Sequence, residues 1–172
     1  LFFGGYWTPQ RRLVGVEWDL ERPVLARFDF LNGSVPEAGD QEAALVSSAT
    51  AEELRISVGD SLLVSIRSDR GRVNTTELLV QGIYEESSFF GFTTYLHRHE
   101  LNRLREAPEN EVNEMGVYLE NPGRQESAAA ETLAAALAQE LPSFGVLRTR
   151  DAYEEASRAQ REEPEYGVVT LG

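Results

Sequence analysis

The sequence has no cysteine and no lysine. All 16 of its basic residues are arginine, and it carries two histidines and one methionine. Without cysteine there is no thiol nucleophile, no thiolate zinc site and no disulfide, and that composition suits an oxidising compartment as well as a reducing one. Without lysine there is no Schiff-base amine and no Walker lysine to grip a nucleotide phosphate. Long apolar runs are missing too. Nothing approaches the roughly 20 residues of a membrane-spanning helix, and no basic-then-apolar leader precedes Leu1. The chain is therefore expected to be soluble as given. Its first residue is Leu, as expected of a processed product or of a segment excised from a longer protein.

What is present is acidic. The net charge of −13 over 172 residues opposes binding to polyanions, because nucleic-acid affinity rests on cations that displace phosphate counterions; no nucleic acid is expected as a partner. The length suits one domain, residues 1–172, or two small lobes, with enough chain to bury about two-thirds of its unfolded surface without staples. Catalytic patterns are thin. There is no Gly-x-Ser-x-Gly elbow and no calcium-loop spacing, and the paired carboxylates Glu52-Glu53, Glu85-Glu86, Glu154-Glu155 and Glu162-Glu163 are adjacent residues that point apart and read as solvated faces. His97 and His99, with Glu100 beside them, outline a metal site, since histidines at i and i+2 share one face of a strand. No third ligand stands at a defined spacing, and the segment falls where caps are expected, so no metal, cofactor or catalytic residue is assigned.

The local patterns spell an α+β fold: a mixed sheet with short helices, built from strand-helix-hairpin units. Residues 12 to 18 read as a strand, and Asp19 to Leu31 as a helix with Val24, Leu25, Phe28 and Leu31 on one side and Pro23 near its start. Ala44 to Ser47 is an apolar run too short for a helix. Thr50 to Glu53 forms a capping box that starts a helix near Thr50, with Leu54 facing a core. Gly59 and Asp60 turn the chain into a strand from Ser61 to Arg67, Asp69, Arg70 and Gly71 reverse it, and residues 75 to 84 return antiparallel. Thr93 to Leu96 leads into a helix from Arg98 to Arg105, closed by Pro108. Val112 to Leu119 reads as a strand, Asn121-Pro122-Gly123 as a turn, Gln125 to Leu141 as a helix striped by Leu133, Leu137 and Leu141, Val146 to Arg148 as a last strand, and Asp151 to Glu162 as a charged helix.

In this order the segments resemble the extracytoplasmic, periplasmic core domain of MacB and FtsX-like ABC transporter permeases. The matching residues are Gly15, Val16 and Glu17 at a strand end, Asp19 and Glu21 at a helix start, and Leu31-Asn32-Gly33. They continue with Val46 and Ser47 before a helix carrying Ala51 and Leu54, then Val58-Gly59-Asp60, then a hairpin ending in Val80-Gln81-Gly82-Ile83-Tyr84. The match covers roughly residues 13 to 119. The resemblance implies a MacB-like fold and a non-enzymatic role: a domain outside the membrane, flanked by the permease's own membrane helices, that transmits motion driven by a separate ATP-binding subunit or domain to a substrate, a dimer mate or a periplasmic partner. Lipoprotein-releasing members carry a longer, proline-containing hook in the hairpin matching residues 67 to 76. Here Asp69-Arg70-Gly71-Arg72 is short and lacks proline, so the resemblance does not extend to a hook.

Two groups are singled out within this frame. Phe89, Phe90 and Phe92, between the hairpin and the next strand, are candidate partner-contact residues, because an apolar loop tip on a rigid scaffold offers a contact surface. Gly59 and Asp60 are expected to be structural, holding the turn before the hairpin. A second aromatic group, Tyr6, Trp7 and Trp18, is expected in core packing, with a lipid-interface role for Tyr6 and Trp7 as its rival. Asn32-Gly33-Ser34 and Asn74-Thr75-Thr76 match the glycosylation triplet at positions expected to be turns. Two rival functions remain: a free-standing extracytoplasmic binding or interaction module without catalytic activity, which would lack flanking membrane helices, and a metal-dependent hydrolase, which would need a third ligand near His97 and His99.

Overall fold

Strand β5 (Ala43–Ser47) is buried along its whole length. That is why five consecutive small or apolar residues stand there: a central strand covered on both faces cannot alternate with polar residues. Its even-numbered Ala44 and Val46 enter one core cluster, and its odd-numbered Ala43 and Leu45 enter another. The computed structural model describes residues 1–3, 6–7, 12–86, 93–117 and 126–142.

Around β5 the sheet is mixed. Six strands have four residues or more: β3 (Arg12–Val16), β4 (Phe30–Gly33), β5, β6 (Ser61–Arg67), β7 (Val73–Tyr84) and β8 (Thr93–His97). The two-residue strands β1 (Phe2–Phe3) and β2 (Tyr6–Trp7) extend it, in the order β2-β1-β6-β7-β5-β8-β3, with β4 also on β7. β5 runs parallel to β7 and antiparallel to β8, and β3 runs parallel to β8. The twelve residues of β7 serve two neighbours in turn, β6 up to the pair Ser61↔Leu79 and β4 from Gly82 to Tyr84.

Helices cover both faces. α2 (Ser48–Leu54) and α3 (Arg98–Arg105) contribute Ala51, Leu54 and Leu104 to the cluster with Ala44, Val46, Leu62, Val64, Leu78, Val80 and Leu96. On the opposite face, α1 (Trp18–Leu25) places fully buried Trp18 and Leu25 against Val16, Val35, Ala43, Leu45 and Tyr84.

The α+β class, the hairpin Ser61 to Tyr84 and the strand-helix step at 93–105 agree with the sequence patterns. Four readings are corrected. The first helix stops at Leu25, not Leu31. Pro23 inside it offers no N–H, and the chain closes with tighter bonds from Arg27 N–H to the Val24 carbonyl (3.0 Å) and Phe28 N–H to the Leu25 carbonyl (3.1 Å). Phe30 then enters β4, where a register shift between Phe30 and Asn32 leaves Leu31 as an extra residue, 61% exposed. Second, the cap of α2 is Ser47, whose Oγ accepts from Thr50 N–H at 3.3 Å; Thr50 lies in the first turn and is buried. Third, residues 112 to 117 form no strand. Fourth, the glycosylation triplets start in strands and not in turns, Asn32 in β4 and Asn74 in β7. The turn at 121–123, the strand at 146–148 and the helix at 151–162 lie outside the described residues.

The chain divides into two units, Leu1–Asn113 and Glu114–Gly172. Within the second, α4 (Glu126–Glu140) holds Leu133 and Leu137 half-buried, with Leu141 exposed just beyond its end.

At the turn before β6, Gly59 has φ +96° with open space where a Cβ would stand, so any cost of a side chain there is conformational. Gly59→Ala is expected to destabilise the chain by about 1–2 kcal/mol in denaturant unfolding, and Gly59→Asn by less, because Asn tolerates positive φ better. Equal midpoints for wild type and Gly59→Ala would show that the turn relaxes freely.

Candidate functional site

Parallel neighbours β3 and β8 end side by side, with Val16 opposite His97, and their following helices leave to opposite faces, α1 to one and α3 to the other. Such a divergence opens a crevice at the carboxyl ends of parallel strands, where polar groups converge in many α/β proteins. Here Glu17, His97 and Arg98 meet. Glu17 is the backbone N-cap of α1, but its carboxylate makes no cap bond there. Instead its Oε1 accepts from Arg98 Nε (2.8 Å) and Nη2, and its Oε2 lies 3.2 Å from His97 Nε2. His97 is almost wholly buried, with its ring edge against Trp18. Its Nδ1 accepts from His99 N–H at 3.2 Å, which caps α3. Both ring nitrogens are thus engaged, and His97 has no free nitrogen with which to act as a base on a substrate.

The two histidines do not share a face. His97 ends β8 and turns inward, whereas His99, in α3, sets Nδ1 3.3 Å from Glu109. Glu100 is turned to Arg103 (2.7 Å) and to Thr76 Oγ1 (3.2 Å). Among the described residues no group of three or more His, Cys, Asp or Glu is placed to hold a metal ion.

At its other end α3 grips the tip of the β6–β7 hairpin. Its cap residue Glu106 has φ +61°, a costly conformation for a residue with a Cβ. Its carboxylate pairs with Arg72 and accepts from Asn74 Nδ2 (3.4 Å) and Ser68 Oγ (3.4 Å). Asn74 also donates to the Leu104 carbonyl at 2.8 Å, and Arg105 pairs with Asp69 at 3.0 Å while accepting from Asp69 N–H at its carbonyl. The following loop is tied back by Asn102, whose buried Nδ2 donates to the carbonyls of Pro108, Glu109 and Glu111. The short hairpin tip is therefore pinned to α3 and does not project as a hook.

Titration reflects these contacts. The hydrogen bond from Arg72, joined by Asn74 and Ser68, holds the Glu106 carboxyl below its ordinary value. Burial pushes Glu100 up, but its bonds to Arg103 and Thr76 outweigh that and leave it below the usual range.

An open cleft of about 590 Å³ is lined by Arg27, Phe28 and Asp29 ahead of β4, by Tyr84, Glu85 and Glu86 at the end of β7, and by Tyr95 of β8. Phe28, Tyr84 and Tyr95 form its apolar wall, with ring centroids 4.8 to 5.8 Å apart. That spacing fills the space between the rings, so they form a packed triad and not an open cage. Tyr84 Oη donates to the Thr93 carbonyl at 3.0 Å, and burial, reinforced by Glu86, pushes its phenol far above the ordinary value. Glu86 accepts from Thr93 N–H at 3.1 Å, closing the base of the connection that holds Phe89, Phe90 and Phe92. Those three phenylalanines lie outside the described residues.

Gly59 N–H donates to the Val80 carbonyl at 2.8 Å, and Asp60 Oδ2 accepts from Ser57 N–H at 2.8 Å. Glu17, Arg98 and Glu106 carry no local sequence signal as contact centres, because their partners are distant in the chain. Only the Glu100–Arg103 pair had a local signal, its i,i+3 spacing on a helix. No family model matches the chain, and no curated protein matches it.

Glu100 and Glu106 have lowered values in the folded chain. The stability they contribute is present above the ordinary 4.5 and is lost as pH falls through their depressed folded values. Melting temperature should therefore decline below pH 4.5, and Glu106→Gln should flatten part of that decline, more so at low salt. An identical pH profile for the variant would remove Glu106 from the account.

Proposed function

We propose that this chain is the extracytoplasmic domain of a bacterial ABC transporter permease with a MacB-like core, and that it transmits ATP-driven motion from the membrane to a substrate or partner outside it. The observation that carries the reading is that six residues of the family pattern, Gly15, Gly33, Ser47, Leu54, Gly59 and Asp60, fall where this fold has little freedom. Ser47 caps α2, Leu54 is fully buried, Gly59 has positive φ, and Asp60 fastens the turn. A side chain at Gly15 would press on Leu101 and the Arg98 backbone at 3.0–3.1 Å, and one at Gly33 would overlap the Gln81 carbonyl.

Two further features support a mechanical role over a catalytic one. His97 has both nitrogens occupied, and the hairpin tip is fastened to α3, so a push at either is carried into the sheet. On this reading the chain is not itself an enzyme and holds no cofactor. ATP is bound by a separate subunit or domain, and the membrane helices belong to sequence outside residues 1–172. Among the described residues no helix is long and apolar enough to cross a membrane.

The lack of cysteine allows a direct test. Leu20 is 69% exposed on α1, so Leu20→Cys, placed in the full-length polypeptide with no other thiol, can be probed with a membrane-impermeant maleimide. The proposal expects the polypeptide in the membrane fraction, labelled in spheroplasts without lysis, and co-purifying with an ATPase subunit or carrying an ATPase domain of its own. Recovery in the soluble fraction, or labelling only after lysis, would contradict it; soluble export from the cell would leave the free-standing interaction module.

A further inference from the structure

We propose that Asn32 is a spontaneous deamidation site that the fold keeps reactive, and that its modification loosens β4 from β7. Asn32 is exposed in β4, just after the extra residue Leu31. Its Oδ1 accepts from Gly33 N–H at 2.9 Å, which holds the side-chain amide against the backbone nitrogen of the next residue. That nitrogen is the nucleophile in asparagine deamidation.

The fold also dictates the residue after Asn32. Gly33 has φ +74°, and a Cβ there would lie 2.1 Å from the Gln81 carbonyl oxygen and 2.8 Å from Gly82 Cα. Only glycine fits. The attacking nitrogen therefore belongs to the residue that hinders it least, and the demand of β4–β7 packing for glycine at 33 leaves the Asn-Gly pair exposed to this reaction. Asn74 and Asn102 are different, because both donate their side-chain amides to backbone carbonyls and precede the bulkier Thr75 and Arg103.

The step needs only water and base. Gly33 N gives its proton to solvent hydroxide and attacks Asn32 Cγ. The N–Cγ bond forms, the Cγ–Nδ2 bond breaks, and the nitrogen leaves as ammonia with a proton from water, leaving a five-membered succinimide. Water then opens either carbonyl to give aspartate or isoaspartate. Both products add a negative charge to a chain already at −13. Isoaspartate also routes the main chain through the former side-chain carbon, so the pairs Asn32↔Ile83 and Gly33↔Gly82 cannot both keep their register.

The test incubates the full chain in mildly alkaline buffer at physiological temperature beside a synthetic peptide of residues 28–37, with tryptic mapping and isoaspartate detection. Asn32 in the folded chain should convert within about tenfold of the peptide's rate, a barrier difference of about 1.4 kcal/mol. The aged wild type should melt lower than fresh protein, while Asn32→Gln keeps its melting temperature through the same incubation. An intact Asn32 in the folded chain alongside a deamidated peptide would overturn the proposal. Conversion without any change in melting would overturn its second half.

Discussion

Burial of β5 on both faces is the constraint from which the rest of this structure follows. A strand with Ala44 and Val46 in one core and Ala43 and Leu45 in the other needs a partner on each edge and a helix layer on each side. β7 and β8 supply the edges, α2 with α3 the one layer and α1 the other. The layers cannot be exchanged for solvent, since each carries side chains whose removal costs a few kcal/mol.

Meeting that constraint along β7 requires an irregularity. Leu78 and Val80 enter the same cluster as Ile83, although strict alternation would send an even and an odd position to opposite faces. The register shift between Ala44↔Val80 and Leu45↔Gly82 inserts Gln81 and restores the match. Gln81 is put to use, accepting from Ser34 N–H at its carbonyl and donating its side chain to Asp40. The same stretch of β7 demands glycine at 33, so the reactivity proposed for Asn32 and the packing of β5 have a common origin.

Elements whose signals are local are legible in the sequence. The hairpin was legible because Gly59-Asp60 and Asp69-Arg70-Gly71 bracket an alternating run, and α3 because a polar junction and Pro108 bound it. The pattern misleads where tertiary contact overrides it. Leu31 sits at helical spacing from Val24 and Phe28, yet β7 has an open edge beyond Leu79 that Phe30 to Gly33 can pair with, and the pairing wins. Thr50-x-x-Glu53 imitates a capping box, while Ser47, already extended at the end of β5, holds the cap geometry of α2. Glu17 and Arg98 are 81 residues apart, and nothing in a single sequence announces a pair at that separation.

Native-state hydrogen exchange tests the central claim most directly. If two-sided burial of β5 underlies the fold, the amides of Ala44, Leu45 and Val46 exchange only through global unfolding, with the free energy of the denaturant midpoint, while the hairpin tip around Asp69 opens earlier. Exchange of the β5 amides at the rate of the hairpin tip, or well below the global unfolding free energy, would contradict the account.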